Sequence, residues 1–168
     1  MTPPPSSAVR GSISENVFIG PYVVIRANGV DDSGNMEPIF IGANSNIQDG
    51  VVIHSKSGAC VLIGEHTSIA HRSIVHGPCG VGDNVFIGFN PVLFNCVVDK
   101  GCMVRRNSVV EGCELPDGFH IPSTTHIHAD SDLSTIKQVG FREEDFSEDV
   151  AQTNIHLVKG YKKLQNAF

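Results

Sequence analysis

Two histidines, His71 and His76, lie five residues apart in the segment SIAHRSIVHG. Imidazole nitrogens are common zinc ligands, so these side chains are candidates for a metal site. A helix does not bring them together, because it pairs side chains three or four residues apart. A strand does not either, because residues an odd number apart point to opposite faces. Whether the two histidines meet at one ion therefore depends on the elements that carry them.

A six-residue repeat supplies those elements. Aliphatic residues recur at every sixth position over long stretches, and Gly, Asn and Asp fill many positions between them. The repeated positions are Ile13, Ile19, Ile25, Ile41, Ile47, Ile53, Ile63, Ile69, Val75, Val81, Ile87, Leu93, Val98, Val104 and Val110. Six does not match the 3.6-residue turn of an amphipathic helix. The pattern indicates a hexapeptide β-helix, in which each repeat forms a short strand and a turn, and three repeats form one triangular rung.

The alternative, a twisted antiparallel β-sandwich, requires alternating runs and regular hairpin turns. We predict an all-β domain over residues 1–168, with a parallel β-helix over 11–122 and an α-helix over 145–166 packed on its flank. The C-terminal helix is indicated by an acidic start, a basic end and an apolar stripe of roughly helical period. The period does not give the hand of the coil, but similarity to known hexapeptide proteins implies a left-handed one. The segment HIH at 126–128 lies beyond the predicted coil and is expected to be a solvated loop, with a two-ligand site on a strand as the alternative.

Composition narrows the classes of partner. The 168-residue chain has a net charge of −6 and no stripe of Lys or Arg, which argues against nucleic acid or an anionic membrane as a partner. Its five cysteines form no CxxC pair, a usage typical of reduced thiols. The sequence has neither a signal-peptide pattern nor an apolar run long enough for a membrane span. We therefore expect a cytoplasmic protein that acts on small molecules or binds other proteins.

Counting repeats places two histidines side by side. His54 follows Ile53 and His76 follows Val75, and both aliphatic residues belong to the third face of neighbouring rungs. Adjacent strands lie about 4.8 Å apart, so both rings can reach one ion. Arg26 occupies the same column one rung earlier. Both insertions in the repeat, after Ile25 and after Ile53, leave the corner that follows this face, which marks that corner as a candidate site.

His71 belongs to the second face, because it lies two residues after Ile69. The extended chain between His71 and His76 covers up to about 17 Å, too far for one coordination shell within one coil. If all three histidines bind one ion, His71 comes from another subunit, and a cyclic trimer is the simplest closed arrangement. A site of three histidines with an open fourth position is the catalytic form of a zinc site, which activates water near neutral pH.

At these residues the chain resembles the γ-class carbonic anhydrase family. The segments VVIRAN, PIFIGANSNIQDGVVIH, SIAHRSIVHGPCGVGDNVFIGFNPVLF and TNIHLVKGYKKL match the pattern of that family in order, over roughly Val17 to Leu164. The resemblance implies a homotrimer of left-handed β-helices that hydrates CO2 to bicarbonate by metal-bound hydroxide at its subunit interfaces. It also implies Zn²⁺ bound by His54, His71 and His76. Three imidazoles suit Fe²⁺ and Co²⁺ as well.

The resemblance also assigns roles to polar residues. Gln48 and Asn154 match residues that orient the metal-bound water or bicarbonate, and Asn46 matches a neighbouring polar residue. Arg26 matches an arginine that forms an ion pair across the subunit interface, here with Asp49. An ion pair that only positions subunits is the alternative role for those two residues.

Two departures from the family pattern concern proton transfer and the arginine's neighbours. The acidic residues that follow the arginine in the archetypal enzyme are missing, and Glu37 is the nearby acid that substitutes for them. The acidic proton-shuttle loop after the first histidine is replaced by SKSGAC, which has no carboxylate. Because hydration ends with export of a proton, this loss predicts slow or absent turnover.

Two other functions are therefore kept open. One is a metal-binding scaffold of the γ-carbonic-anhydrase type whose catalysis has lapsed. The other is a hexapeptide acyltransferase, which shares the coil and uses one histidine as a base. Stoichiometric metal distinguishes the acyltransferase from both other functions, because an acyltransferase needs none.

Overall fold

The aliphatic repeat builds a coil of short parallel strands. The computed structural model describes residues 11–27, 32–34 and 37–165, and it shows a left-handed parallel β-helix followed by one long α-helix. In chain order the strands are β1 (Gly11–Ile13), β2 (Phe18–Ile19), β3 (Val24–Ala27), β4 (Ile39–Ile41), β5 (Asn46–Ile47), β6 (Val52–Ser55), β7 (Val61–Ile63), β8 (Ser68–Ile69), β9 (Ile74–Gly77), β10 (Cys79–Val81), β11 (Phe86–Ile87), β12 (Val92–Phe94), β13 (Val97–Val98), β14 (Met103–Val104), β15 (Val109–Glu111), β16 (Glu114–Leu115), β17 (Phe119–Ile121), β18 (His126–Ile127) and β19 (Lys137–Gln138). A turn of 3-10 helix (Leu133–Thr135) precedes β19, and α1 (Phe141–Gln165) ends the described chain.

The strands form three flat faces, as a triangular coil requires. Face 1 contains β1, β4, β7, β10, β13 and β16 in that spatial order. Face 2 contains β2, β5, β8, β11, β14 and β17, with β19 added antiparallel at its end, and face 3 contains β3, β6, β9, β12, β15 and β18. From β1 to β18, strands that are three places apart in the chain pair in parallel. This pattern excludes the antiparallel sandwich.

The aliphatic residues of the repeat fill the centre of the coil. Ile53, Val75 and Leu93 are fully buried, and each is in register with the next on face 3. Burial of such side chains is the main stabilising contribution available to a coil whose strands are only two to four residues long. Ile13 and Ile19 in the first rung remain exposed, because the described residues place no further rung above them.

The corners of the coil need residues that tolerate left-handed backbone. Asn16, Asn44 and Asn84 have φ values of 56°, 58° and 56°, and they occupy the same corner on three rungs, with His66 at that corner on the rung between Asn44 and Asn84. Asparagine adopts this conformation at lower cost than most residues, and its side chain can bond along the stack. The amide of Asn16 donates to Asn44 Oδ1 at 3.3 Å. The Asn and Gly residues between the aliphatic positions are thus the residues that turn the corners.

The coil extends further than its predicted end at residue 122. Strand β18 (His126–Ile127) belongs to face 3, so HIH at 126–128 begins in a strand, and the expectation of a loop there was wrong. Leu115, Ile121 and Ile127 are buried and spaced by six, so the repeat continues after a second one-residue slip. Counting in steps of six from Val110 misses these residues because of that slip.

Helix α1 covers face 2, where it contacts β2, β5 and β8. Its buried residues include Ile155 and Val158, and the ring of Phe146 meets that of Phe86 at 5.3 Å between centroids. The helix begins at Phe141, before the predicted residue 145, because the prediction relied on an apolar periodicity that begins only at Val150. The predicted last residue, 166, lies outside the described residues. Within the described part of the chain, no helix has the length and apolarity needed to span a membrane.

Candidate metal centre

Face 3 places two imidazole rings next to each other. Strands β6 and β9 pair in parallel with His54 opposite His76, and the two ring centroids are 4.7 Å apart with planes at 77°. Arg26 lies opposite His54 on β3, one rung earlier. These three side chains form the column expected from the repeat phase. They follow fully buried or half-buried aliphatic residues, so the alternation of the strand turns them outward.

The hydrogen bond of His76 determines which of its nitrogens is available. Its Nδ1–H donates to the carbonyl oxygen of Gly77 at 3.0 Å. A carbonyl oxygen only accepts, so Nδ1 carries the proton, and in the neutral ring Nε2 keeps its lone pair. A backbone carbonyl on the second nitrogen is the usual way in which a protein orients a metal-binding histidine.

His54 carries an unsatisfied nitrogen. Its Nε2 is buried and has no hydrogen-bond partner among the described residues. Burial lowers the pKa of His54 below its ordinary value, and the positive charges of Arg26 and of protonated His76 lower this pKa further. A buried polar atom without a partner costs free energy, so it calls for an explanation. A neutral imidazole with a free nitrogen, beside a second one, is a donor set that suits Zn²⁺, Fe²⁺ or Co²⁺.

His71 lies at a different corner of the coil. It stands in the turn after β8, between faces 2 and 3, with 48% of its side chain exposed. Its Nδ1 is 3.8 Å from Asp49 Oδ2, and its ring is 5.4 Å from that of Phe89. The described part of one chain holds no group of three His, Cys, Asp or Glu side chains able to bind a metal. One chain thus offers His54 and His76 together and His71 separately.

The residues of the predicted ion pair, Arg26 and Asp49, and the substitute acid, Glu37, lie on the surface of the chain. Arg26 and Asp49 are both exposed, and within the described part of one chain Asp49 lies beside His71 rather than beside Arg26. Glu37 is exposed in the segment just before β4. The ion pair between Arg26 and Asp49 is predicted across a subunit interface, so it stays a prediction.

The predicted orienting residues belong to the layer between face 2 and helix α1. Gln48 Nε2 donates to Asn46 Oδ1 at 3.0 Å, and Asn46 Nδ2 donates to Ser68 Oγ at 2.6 Å. Asn154 is buried on the helix, where its Nδ2 donates to the carbonyl of Val150 at 2.8 Å. Gln48 and Asn46 are therefore joined in one network, which the sequence reasoning did not extend to Ser68.

Sequence reasoning also missed two aromatic rings. Phe94 lies opposite His76 on the next strand of face 3, with ring centroids 5.1 Å apart, and Phe89 lies against His71. The signal was present, because Phe94 follows Leu93 as His76 follows Val75, and Phe89 follows Ile87 at the spacing by which His71 follows Ile69. Each phenylalanine thus occupies the position of a histidine one rung further along.

Known proteins provide an independent comparison. No protein-family model matches the chain. A protein named carbonic anhydrase from Methanosarcina thermophila is 33% identical over 95% of this chain and 71% of its own length. The chain belongs to the γ-class carbonic anhydrase family. Membership rests on that relative, because the alignment takes in nearly all of the chain and most of the relative.

Other members of the family and of the fold are more distant or longer. A carboxysome assembly protein, CcmM, from Nostoc is 36% identical over 89% of this chain, which spans only 28% of that longer protein. A solved hexapeptide transferase family protein from Anaplasma phagocytophilum has a TM-score of 0.69 at 23% identity, covering 90% of this chain and 89% of its own. That likeness shows a shared fold.

Proposed function

We propose that the protein is a metal-dependent carbonic anhydrase, which interconverts CO2 and bicarbonate at sites shared between the subunits of a homotrimer. The observation that carries this proposal is the pair formed by His54 and His76, each with an Nε2 available to a ligand. A relative named carbonic anhydrase, aligned over nearly the whole chain, supports the same activity.

The residues that would hold the metal are His54 and His76 of one subunit and His71 of its neighbour. His71 is exposed at a corner, where it is able to face another chain. Zn²⁺ is the first choice, and Fe²⁺ or Co²⁺ suits the same three imidazoles. When bound, the metal supplies the Lewis acidity that activates water for attack on CO2.

The chain's own residues orient the site and shape its electrostatics. The Gly77 carbonyl holds the ring of His76 in one tautomer, and the ring of Phe94 packs against it with the two planes tilted by 42°. Burial and then the positive charge of Arg26 lower the pKa of His54, and Arg26 attracts the bicarbonate anion to the same column. In the proposal, Gln48 and Asn154 position the oxygen atoms of the substrate across the interface, with Asn46 holding the amide of Gln48. Arg26 and Asp49 align the two subunits.

Proton export is expected to be the slow step of the reaction at this site. Residues 55–60, which follow His54, contain no carboxylate. A proton released at the histidines therefore passes to solvent or buffer, unless Glu37 accepts it. We infer slow turnover that rises with buffer concentration. The unpaired cysteines fit the cytoplasmic location that we propose.

Two observations favour a second function. The Nostoc relative is named as a carboxysome assembly protein, and the loop after His54 lacks the carboxylate that rapid turnover needs. In that case the metal stabilises the trimer, and the trimer serves as an assembly subunit with lapsed catalysis.

Stopped-flow CO2 hydration, on protein purified without oxygen and with the bound metal quantified in the same sample, separates these functions. His71→Ala is the test variant, and His66→Ala, at a different corner beside Asn44, is the matched control. Metal near one per chain, with hydration lost only in the His71 variant, supports the anhydrase. Metal without hydration, after loading with each of the three ions, supports the assembly subunit. Absence of metal under all loading conditions contradicts both.

A further inference from the structure

Face 1 carries a ladder of thiols that the proposed reaction does not use. Gly80 on β10 lies opposite Val97 on β13, so the preceding residues, Cys79 and Cys96, are opposite each other as well. Their Sγ atoms are 3.7 Å apart, and the two residues are only 5% and 4% exposed. Cys113 occupies the equivalent position one rung further along, before β16.

A groove gives small molecules a route to these thiols. It encloses about 520 Å³, and all of Cys60, Cys79, Cys96 and Cys113 contribute to its lining. Gly80 lies in the same lining, and a Cβ added there would meet only Val97, at 3.7 Å. The absence of a side chain at Gly80 therefore leaves the outer side of β10 open within this groove.

The backbone spacing suits a disulfide between Cys79 and Cys96. Adjacent strands lie about 4.8 Å apart, and disulfides span Cα separations of roughly 4.4 to 6.8 Å. The Sγ atoms must approach by about 1.7 Å to reach the S–S bond length of about 2.05 Å, a movement that side-chain rotation supplies. The parallel pairing of β10 and β13 can thus remain in place.

The pKa values of the two thiols are shifted in opposite directions. The hydrogen bond shared by the Cys79 and Cys96 thiols lowers the pKa of Cys79, although burial opposes this shift. The same hydrogen bond, together with burial, raises the pKa of Cys96. Cys79 is accordingly the sulfur that ionises first, and the thiolate is the nucleophilic form of cysteine.

We propose that Cys79 and Cys96 form a hydroperoxide-sensitive dithiol, which closes to a disulfide between neighbouring rungs of the coil. The Cys79 thiolate attacks one oxygen of the peroxide, the S–O bond forms as the O–O bond breaks, and hydroxide leaves with its electron pair. The sulfur of Cys96 then attacks the Cys79 sulfur. The S–S bond forms, the S–O bond breaks, and the departing hydroxide takes the Cys96 proton as water. Two thiols lose two electrons in total, and one hydrogen peroxide becomes two waters.

The sequence makes this disulfide easy to detect. No Lys or Arg lies between Ser73 and Asp99, so trypsin releases residues 73–100 as one peptide that contains Cys79, Cys96 and no other cysteine. The full chain is treated with hydrogen peroxide in the folded state, denatured in N-ethylmaleimide and digested. We expect the peptide 73–100 to lose two hydrogens and both alkylation sites, and to recover both after treatment with a reductant.

Cys102 provides the matched internal control. It is buried, its thiol donates to the carbonyl of Pro116 at 3.1 Å, and burial raises its pKa to about 11. We expect alkylation of Cys79 to be lost at least tenfold faster than alkylation of Cys102. In Cys96→Ala, Cys79 must stop at the sulfenic acid, which a dimedone probe captures.

Three results would overturn the proposal. The first is full alkylation of peptide 73–100 after peroxide treatment. The second is a cross-link between this peptide and the peptide containing Cys60 or Cys113, which would assign the bond to another pair. The third is equal loss of Cys79 and Cys102, which would show that oxidation follows unfolding.

Discussion

The nitrogens of His54 and His76 show how much of a binding site is decided by single hydrogen bonds. His76 has its Nδ1 proton committed to the Gly77 carbonyl, whereas His54 has a buried Nε2 without a partner in the described chain. Both arrangements leave a lone pair for a ligand. Neither is visible in the histidine spacing, which gives only the face and the rung.

The pKa of His54 predicts how the metal-free protein responds to acid. Burial, Arg26 and His76 all lower this pKa below 6.5, the value for an unperturbed histidine. Above pH 6.5 the ring is neutral in both the folded and the unfolded chain, so stability does not depend on its titration. Below that pH the unfolded chain binds the proton first, so the free energy of unfolding decreases as pH falls from 6.5 toward the lower folded-state pKa.

Urea unfolding at fixed protein concentration, in chelator and between pH 7.5 and pH 5.5, measures this dependence. The variant His54→Gln should show a shallower decrease than the unsubstituted protein. Equal slopes in the two proteins would contradict the assignment to His54.

Ser68 is predicted to hold the amide network under the helix. Ser68→Ala removes the acceptor of the Asn46 amide, which is only 1% exposed, at a cost of about 1–3 kcal/mol in the free energy of unfolding. Ser12→Ala, at an exposed position on β1, serves as the control and should change stability by less than about 0.5 kcal/mol. Urea unfolding of both variants tests the expectation, and equal stability would show that Asn46 finds another partner.

Among the elements, the short strands tolerate little change where two rungs approach closely. A Cβ at Gly82, just after β10, would lie 2.6 Å from the backbone nitrogen of Lys100 and 3.0 Å from the carbonyl carbon of Asp99. Backbone atoms of the next rung have no rotamer to change, so they must shift as a unit. Gly80, two residues earlier, has only the side chain of Val97 near its missing Cβ.

Gly82→Ala is therefore predicted to lower the free energy of unfolding by about 1–3 kcal/mol, because it overpacks two rungs. Gly80→Ala adds the same methyl group where space exists and should change stability by less than about 0.5 kcal/mol. The two midpoints of thermal unfolding, measured side by side, test the difference. A loss of the same size in both variants would contradict close approach at Gly82 as the cause, because removing a glycine by itself lowers the entropy of the unfolded chain and stabilises the fold.

For the whole molecule, the proposed site requires more than one chain, since His71 does not join His54 and His76 within the described part of a single coil. In a trimer with shared sites, each site takes His54 and His76 from one subunit and His71 from the next. Oligomeric assembly and metal binding are then coupled, because ligands that favour the assembled state stabilise it.

Mixed trimers test this sharing. His71→Ala and His54→Ala should each be inactive alone, whereas an equal mixture, unfolded and refolded together, should regain about a quarter of the sites by random assembly. The matched control mixes His54→Ala with His76→Ala. No activity should return there, because at every site the subunit that supplies both His54 and His76 then lacks one of these two ligands. Recovery in the control, or its absence in the first mixture, would contradict the proposed division of ligands.

Much of this architecture is determined by the sequence alone. In a coil, each strand pairs with the strand three repeats away, so the six-residue phase gives the faces, the columns and the adjacency of His54 to His76. The same phase contained the positions of Phe89 and Phe94, and the six-residue spacing resumes after a second one-residue slip in the missed continuation of the coil through Ile121 and Ile127. These features are local consequences of a repeated register, which is why counting residues is enough to find them.

Tertiary structure decided the features that depend on side-chain direction. The link from Gln48 through Asn46 to Ser68, the contact of Asp49 with His71 and the approach of Cys79 to Cys96 all depend on which rotamers the corners and the covering helix leave open. A linear repeat specifies where a Cα lies, but hydrogen bonds and thiol contacts depend on the atoms beyond it. The position of His71 in a metal centre depends on one further level, because its proposed partners belong to another chain.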